Sequence, residues 1–232
     1  MLVSIGLVLH FSLGSLTGRT PRILISIGVM GMSLGAGLGL VSRLGWAHAG
    51  FRPDIKPRAA RSLLLIALPV VSATIFLLAA GPAAGPSTFL LLGGLALLVA
   101  LHEETWFRGV ILTVLAPRGN LPAVVASAVL FGIAHSANLV TTPATPAAVA
   151  YQVLTASLVG IVFGAVRLRT GAIWPTILAH ALVDWAAFVL LYPSIVPPQP
   201  KLPTAIAGVA AYGLLAGISL WMVRPGGGNR DT

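Results

Sequence analysis

Residues 87–116 read STFLLLGGLALLVALHEETWFRGVILTVLA, and the hexad Glu103-Glu104-Thr105-Trp106-Phe107-Arg108 within them decides how the chain is read. Ser87 to Leu101 and Gly109 to Ala116, on either side, carry no charge. About 20 predominantly apolar residues suffice for a membrane helix, and this run is longer. An ionised side chain at the centre of such a helix costs about 2.5 to 3.5 kcal/mol on insertion scales, so three within six positions need partners or a task. Two of the five acidic residues of the chain stand here.

The rest of the composition agrees with a membrane setting. Over 232 residues, 57% are hydrophobic and 8% charged, with a mean hydropathy of +0.97, values outside the range of soluble domains. The expected fold is all-α, a polytopic transmembrane helical bundle of about eight spans, forming a single membrane domain over residues 1–232. The net charge of +9 belongs with loops that face anionic lipid, so it is no argument for nucleic-acid binding. With no cysteine, the chain has no disulfide, no thiolate metal site and no thiol nucleophile.

Apolar runs place the expected spans at Leu2–Leu16, Ile23–Val41, Ser62–Ala80, Ser87–Leu115, Leu121–Asn138, Ala147–Val166, Ala172 to just before Pro193, and Thr204–Val223. The fourth is nearly thirty residues long and must tilt, extend past the bilayer or break near Gly109. In the second, Gly31, Gly35 and Gly39 recur every four residues, a spacing suited to close helix packing. Ten of the fourteen basic residues fall on one side of this arrangement, in the loop of residues 42–61, at Arg118, at Arg167 and Arg169, and at Arg224 and Arg230. The excess of Lys and Arg in cytoplasmic loops therefore puts both termini in the cytoplasm of a multi-pass protein of the cell membrane.

Few ionisable groups remain inside the spans. They are His10, His102, Glu103, Glu104, Arg108, His135, His180 and Asp184. Glu104 and Arg108 lie four apart and share a helix face, as an acid and its arginine brace would, while Glu103 is turned by about 100° and can face elsewhere. His180 and Asp184 also lie four apart. Phe131 and His135 share a face of their span, with Asn138 three residues further on. The simplest packing gathers Glu103, His135, His180 and Asp184 around one polar cavity between three helices. Such a set can activate water, a carboxylate taking the proton and the remaining groups stabilising an oxyanion or holding a metal. A single intramembrane histidine also has a plainer reading, as a core side chain bonded to a carbonyl, and His10 and His102 are assigned to it. By counting from the span ends, His135 and His180 differ in depth by roughly 9 Å, at 1.5 Å per residue.

Taken together, the motifs resemble those of the CPBP intramembrane proteases, the family of CAAX-prenyl endopeptidases and of bacteriocin-processing and Abi-like proteins. Its first motif stands as Glu103-Glu104-Thr105-Trp106-Phe107-Arg108, its second as Phe131-Gly132-Ile133-Ala134-His135, and its third as His180-Ala181-Leu182-Val183-Asp184 after Gly171-Ala172-Ile173-Trp174-Pro175. The resemblance covers residues 87–185, which would form the catalytic core, spans four to seven. It implies an intramembrane endopeptidase that cleaves a membrane-associated or prenylated peptide. Glu103 would be the base that activates water, His135 would help hold that water, and His180 with Asp184 would face the oxyanion. Glu104, Arg108, Phe131 and Asn138 would support them.

Asp184 departs from the asparagine of the better-studied prenyl endopeptidases. An ionised aspartate repels an oxyanion, so Asp184 is protonated, orients His180, or joins Glu103, His135 and His180 on a metal such as zinc. The chain lacks the helical His pair of a His-Glu-x-x-His site, and the leading expectation is a reaction without a cofactor. Two other classes compete. A proton-coupled carrier would relay protons through the same Glu, His and Asp, although the chain shows no inverted repeat. A catalytically silent membrane scaffold of the same fold would keep the residues for packing.

Overall fold

The computed structural model describes residues 19–55, 57–82, 85–192 and 199–224. Every regular element among the described residues is helical, and seven helices are long and apolar enough to cross a membrane. In chain order they are α1 (Arg19–Leu44), α2 (Leu64–Ala80, entered through a 3-10 turn at Pro57–Leu63), α3 (Pro86–Glu104), α4 (Asn120–Ala134), α5 (Pro146–Thr170), α6 (Trp174–Leu191) and α7 (Leu202–Val223). These correspond to seven of the eight expected spans. The run Leu2–Leu16, expected as a first span, lies outside the described residues together with His10.

The long fourth span neither breaks nor stops at Gly109. Beyond Glu104 it widens into a π-helix over Thr105–Ile111, returns to α at Leu112–Leu115 and ends in a 3-10 turn at Ala116–Arg118. Pro86 opens this span, and Gly119, at φ +110°, turns the chain into α4. The Thr145 side chain caps α5 by accepting from Ala148 N at 3.2 Å, and Gly171 closes the same helix in the left-handed conformation.

α4 packs along α5, α5 along α7, and α6 lies against both α2 and α3, while α1 leans on the π-helical stretch. Lipid tails offer no hydrophobic drive between helices, so association depends on close approach at small residues. The seam of α4 with α5 shows this. A Cβ on Gly132 would fall 1.9 Å from Ser157 Oγ and 2.6 Å from the Val153 carbonyl oxygen, and one on Gly160 would fall 3.0 Å from Ala128 Cα. No described atom lies within 4 Å of a Cβ built on Gly31, Gly35 or Gly39. The face that α1 buries is instead that of Met30, Ser33, Gly37 and Val41, with Gly37 set against Thr105 and Trp106. Both stripes have helical spacing, and only the neighbouring helix decides between them.

The ends that charge counting places on one side do lie together. Arg167 donates to the His48 carbonyl, and Ile173 N donates to Gly50 O at 2.9 Å, which fastens the loop after α1 to the turn between α5 and α6. Arg169 donates to Ser62 Oγ at 3.0 Å and to Met222 O at 2.8 Å, joining the start of α2 to the end of α7. In the same loop, hydrogen bonds from Arg52 hold the Asp54 carboxyl below the ordinary carboxylate range.

Gly132→Ala is expected to destabilise the protein by about 1 to 3 kcal/mol, because the added methyl meets backbone across the α4–α5 seam. Gly35→Ala should leave stability within about 0.5 kcal/mol. Thermal unfolding of both variants in detergent measures the contrast.

Candidate functional site

Glu103 and Glu104 are the last residues of α3, just before the helix widens. In the π-helical stretch Leu112 N reaches back five residues to Phe107 O, and Ser127 Oγ of α4 donates to the same carbonyl at 2.7 Å. The wider turn is therefore pinned by a neighbouring helix. Such π-helical turns are rare and concentrate at functional sites.

Within this frame Glu104 is fully buried and holds two partners through one oxygen. Arg108 Nη1 donates to Glu104 Oε1 at 2.8 Å, and His180 Nδ1 donates to the same oxygen at 3.0 Å. Arg108 is itself fully buried. Its guanidinium lies 4.4 Å from the Phe131 ring centroid and 5.5 Å from that of Phe163, so aromatic faces cover the nitrogens that lack a hydrogen-bond partner. Gly160 makes room for it, since a Cβ there would come within 3.3 Å of Nη2.

With Nδ1 of His180 occupied, Nε2 is the nitrogen left for chemistry. It lies 3.5 Å from Asp184 Oδ2 and 3.7 Å from Glu103 Oε2, too long for good direct hydrogen bonds. Among the described residues the Glu103 carboxylate has no hydrogen bond, and it is less completely enclosed than that of Glu104. His180 thus faces three carboxylates, one holding it from behind and two in front.

The expected residues meet in two tiers. Glu103, Glu104, Arg108, His180 and Asp184 form one contiguous group. His135 joins it through Phe131, whose ring centroid lies 4.9 Å from that of His135 and 5.9 Å from that of His180. The depth difference counted along the spans does not keep the two histidines from packing on one phenylalanine. His135 Nδ1 is bonded to Phe131 O at 2.9 Å, which leaves Nε2 available. Asn138 lies further along, donating to Gln152 Oε1 at 2.7 Å and accepting from Thr141 at 3.3 Å, so its side-chain amide is engaged at the α4–α5 seam. Glu104, expected as the partner of Arg108, touches His180 as well.

Phe163 and Gln152 carried no signal in the sequence, since their roles depend on which face of α5 meets α4. Among the described residues no three His, Asp or Glu side chains are grouped as a metal ion would need.

Comparison with known proteins supports the same segment. A family model described as Rce1-like, Type II CAAX prenyl endopeptidase Rce1-like, matches residues 84–186. The match is somewhat less than half of the chain and contains all three motifs, running from the start of α3 to Ala186 in α6. No curated protein and no solved structure matches.

Arg108→Leu leaves Glu104 buried without its cation and should cost about 3 to 5 kcal/mol of stability. Adding Glu104→Gln to that variant removes the orphaned charge and should recover part of the loss. Unfolding in detergent measures both, and equal losses would contradict the coupling.

Proposed function

We propose that this chain, Rce1-like over residues 84–186, is an intramembrane endopeptidase that hydrolyses a peptide bond of a membrane-associated or lipid-modified peptide. The observation that carries the reading is the fixed imidazole of His180, held at Nδ1 by Glu104 so that Nε2 faces Glu103 and Asp184. A carboxylate that orients a histidine in this way is a recurrent catalytic device.

Glu103 is the general base. Its carboxylate takes a proton from water as the water oxygen bonds to the scissile carbonyl carbon, and His135 helps hold that water. Charge then develops on the carbonyl oxygen. His180, with both ring nitrogens protonated, donates from Nδ1 to Glu104 and from Nε2 to this oxyanion. Asp184, 3.5 Å from the same Nε2, is protonated in this state, so that it neither repels the oxyanion nor competes for that N–H. When the tetrahedral intermediate collapses, the C–N bond breaks and Glu103 returns its proton to the leaving amine. Arg108 keeps Glu104 ionised behind the histidine, and Phe131 seats His135 and His180 on its ring.

The reaction is metal-free on this reading. The protein is placed in the cell membrane with both termini in the cytoplasm, and a prenylated peptide that enters from the lipid is the expected substrate class.

Glu103→Ala should lower cleavage of a farnesylated CAAX-type peptide in lipid vesicles by at least about a thousandfold, while the thermal unfolding profile stays unchanged. Unchanged turnover in this variant would sink the assignment. Chelation by EDTA should leave the rate unaltered, and a loss that zinc restores would overturn the metal-free mechanism. Ion flux in proteoliposomes that depends on Glu103 or His180 would favour the proton-coupled carrier instead.

A further inference from the structure

Two polar residues buried beside the site have no part in this mechanism: His102, the residue before the acid pair, and Ser33 of α1. His102 Nε2 and Ser33 Oγ share a hydrogen bond of 2.9 Å. Trp106 Nε1 donates to the same Ser33 oxygen at 3.1 Å and to the Ser33 carbonyl at 3.2 Å. Gly37, one turn along α1, lets Thr105 and Trp106 approach to 3.2 Å of where its Cβ would be. All of these contacts reach positions 102, 105 and 106, which straddle the point where α3 becomes π-helical. α1 therefore grips the span on both sides of the acid pair.

The grip matters unequally for the two acids. Glu104 is located by its own contacts with Arg108 and His180. Glu103 has no hydrogen bond among the described residues, and its nearest charged partner, His180 Nε2, stands 3.7 Å away. With no hydrogen bond to fix it, what its carboxylate can reach depends on the rotation of the backbone that carries it. At the α-to-π boundary the hydrogen-bond ladder changes from i−4 to i−5, so the rotation of the backbone changes there. A polar bond between buried side chains is a discrete stop where apolar packing would permit sliding.

We infer that Ser33 and His102 are positioning residues for the proposed base: the hydrogen bond between them, locked by Trp106, fixes the rotation of Glu103 toward His180. The inference rests on the endopeptidase reading for its meaning in catalysis. It adds a requirement from α1, which lies outside residues 84–186.

The absence of cysteine gives an activity-independent test. In a Glu103→Cys variant the introduced thiol is the only one, and the rate at which a small methanethiosulfonate reagent converts it to a mixed disulfide, releasing methanesulfinate, in lipid vesicles reports how it is presented. Adding Ser33→Ala is expected to change that rate by about fivefold or more, whereas the same substitution beside Asp184→Cys should change it less than twofold, because a side chain freed to rotate alters access locally. In the native background, Ser33→Ala and His102→Leu should each lower kcat on the farnesylated peptide about tenfold, with KM within twofold, as expected when a catalytic group is misplaced without loss of binding. His102→Gln, which keeps a polar nitrogen near the position of Nε2, should restore most of kcat. Equal modification rates in the two Glu103→Cys backgrounds would overturn the inference, and so would a fall in kcat accompanied by an equal loss of thermal stability. A wild-type protein inert toward the peptide would instead count against the endopeptidase, while the thiol measurement would still judge the Ser33–His102 stop.

Discussion

One carboxylate oxygen organises the interior. Glu104 Oε1 accepts from Arg108 at 2.8 Å and from His180 at 3.0 Å in a bundle whose outer faces are apolar. Nothing in lipid could solvate either charge if the bundle loosened, so the pair makes tight packing a condition of burial. Gly160, Phe131 and Phe163 follow from that condition: the glycine gives the guanidinium space, and the two rings shield what Glu104 does not reach. The same oxygen sets the histidine. α3, α4, α5 and α6 thus meet at a point where structure and proposed chemistry use one group.

The outer parts of the bundle serve to hold this point from different sides. Ser127 of α4 takes up the Phe107 carbonyl, and α1 closes over positions 102, 105 and 106. Toward the basic side, the loop after α1 is tied to the α5–α6 turn by Arg167 and Gly50. A Cβ on Gly50 would lie 2.3 Å from Arg167 Nε at a φ of +92°, so both space and backbone require glycine there.

Much of this was legible without coordinates, and the reason differs from residue to residue. Membrane helices declare themselves through length and apolarity, which do not depend on their neighbours, so seven expected spans reappear as helices. Pairs within one helix were equally readable. Glu104 with Arg108 and His180 with Asp184 are each set by spacing along a single helix, whatever lies around it. Across helices the gathering of Glu103, His135, His180 and Asp184 could be expected, but the particular partners could not. The bond from Glu104 to His180, the cover given by Phe163 and the contact of Ser33 with His102 depend on which faces meet, and in a lipid-embedded helix apolar residues surround the whole circumference. The face that α1 turns to the described helices was unreadable for the same cause: the glycine stripe is equally regular, but these helices meet the face with Ser33 and Gly37.

The π-helical stretch Thr105–Ile111 has a consequence for how the longest span is divided. Each turn of that kind holds about one residue more than an α-turn, so the helix leaves it out of phase by about 100° with the course it entered on. Before the shift, Glu104 points into the cluster with Arg108 and His180; after it, Leu112 packs with Ala123, Val124 and Ala165. An unbroken α-helix would have had to offer one fixed set of faces to α1, α4 and α6 along its whole length. The extra residue lets a single transmembrane helix carry two independent interfaces in series, with the acid pair at the junction where one hands over to the other.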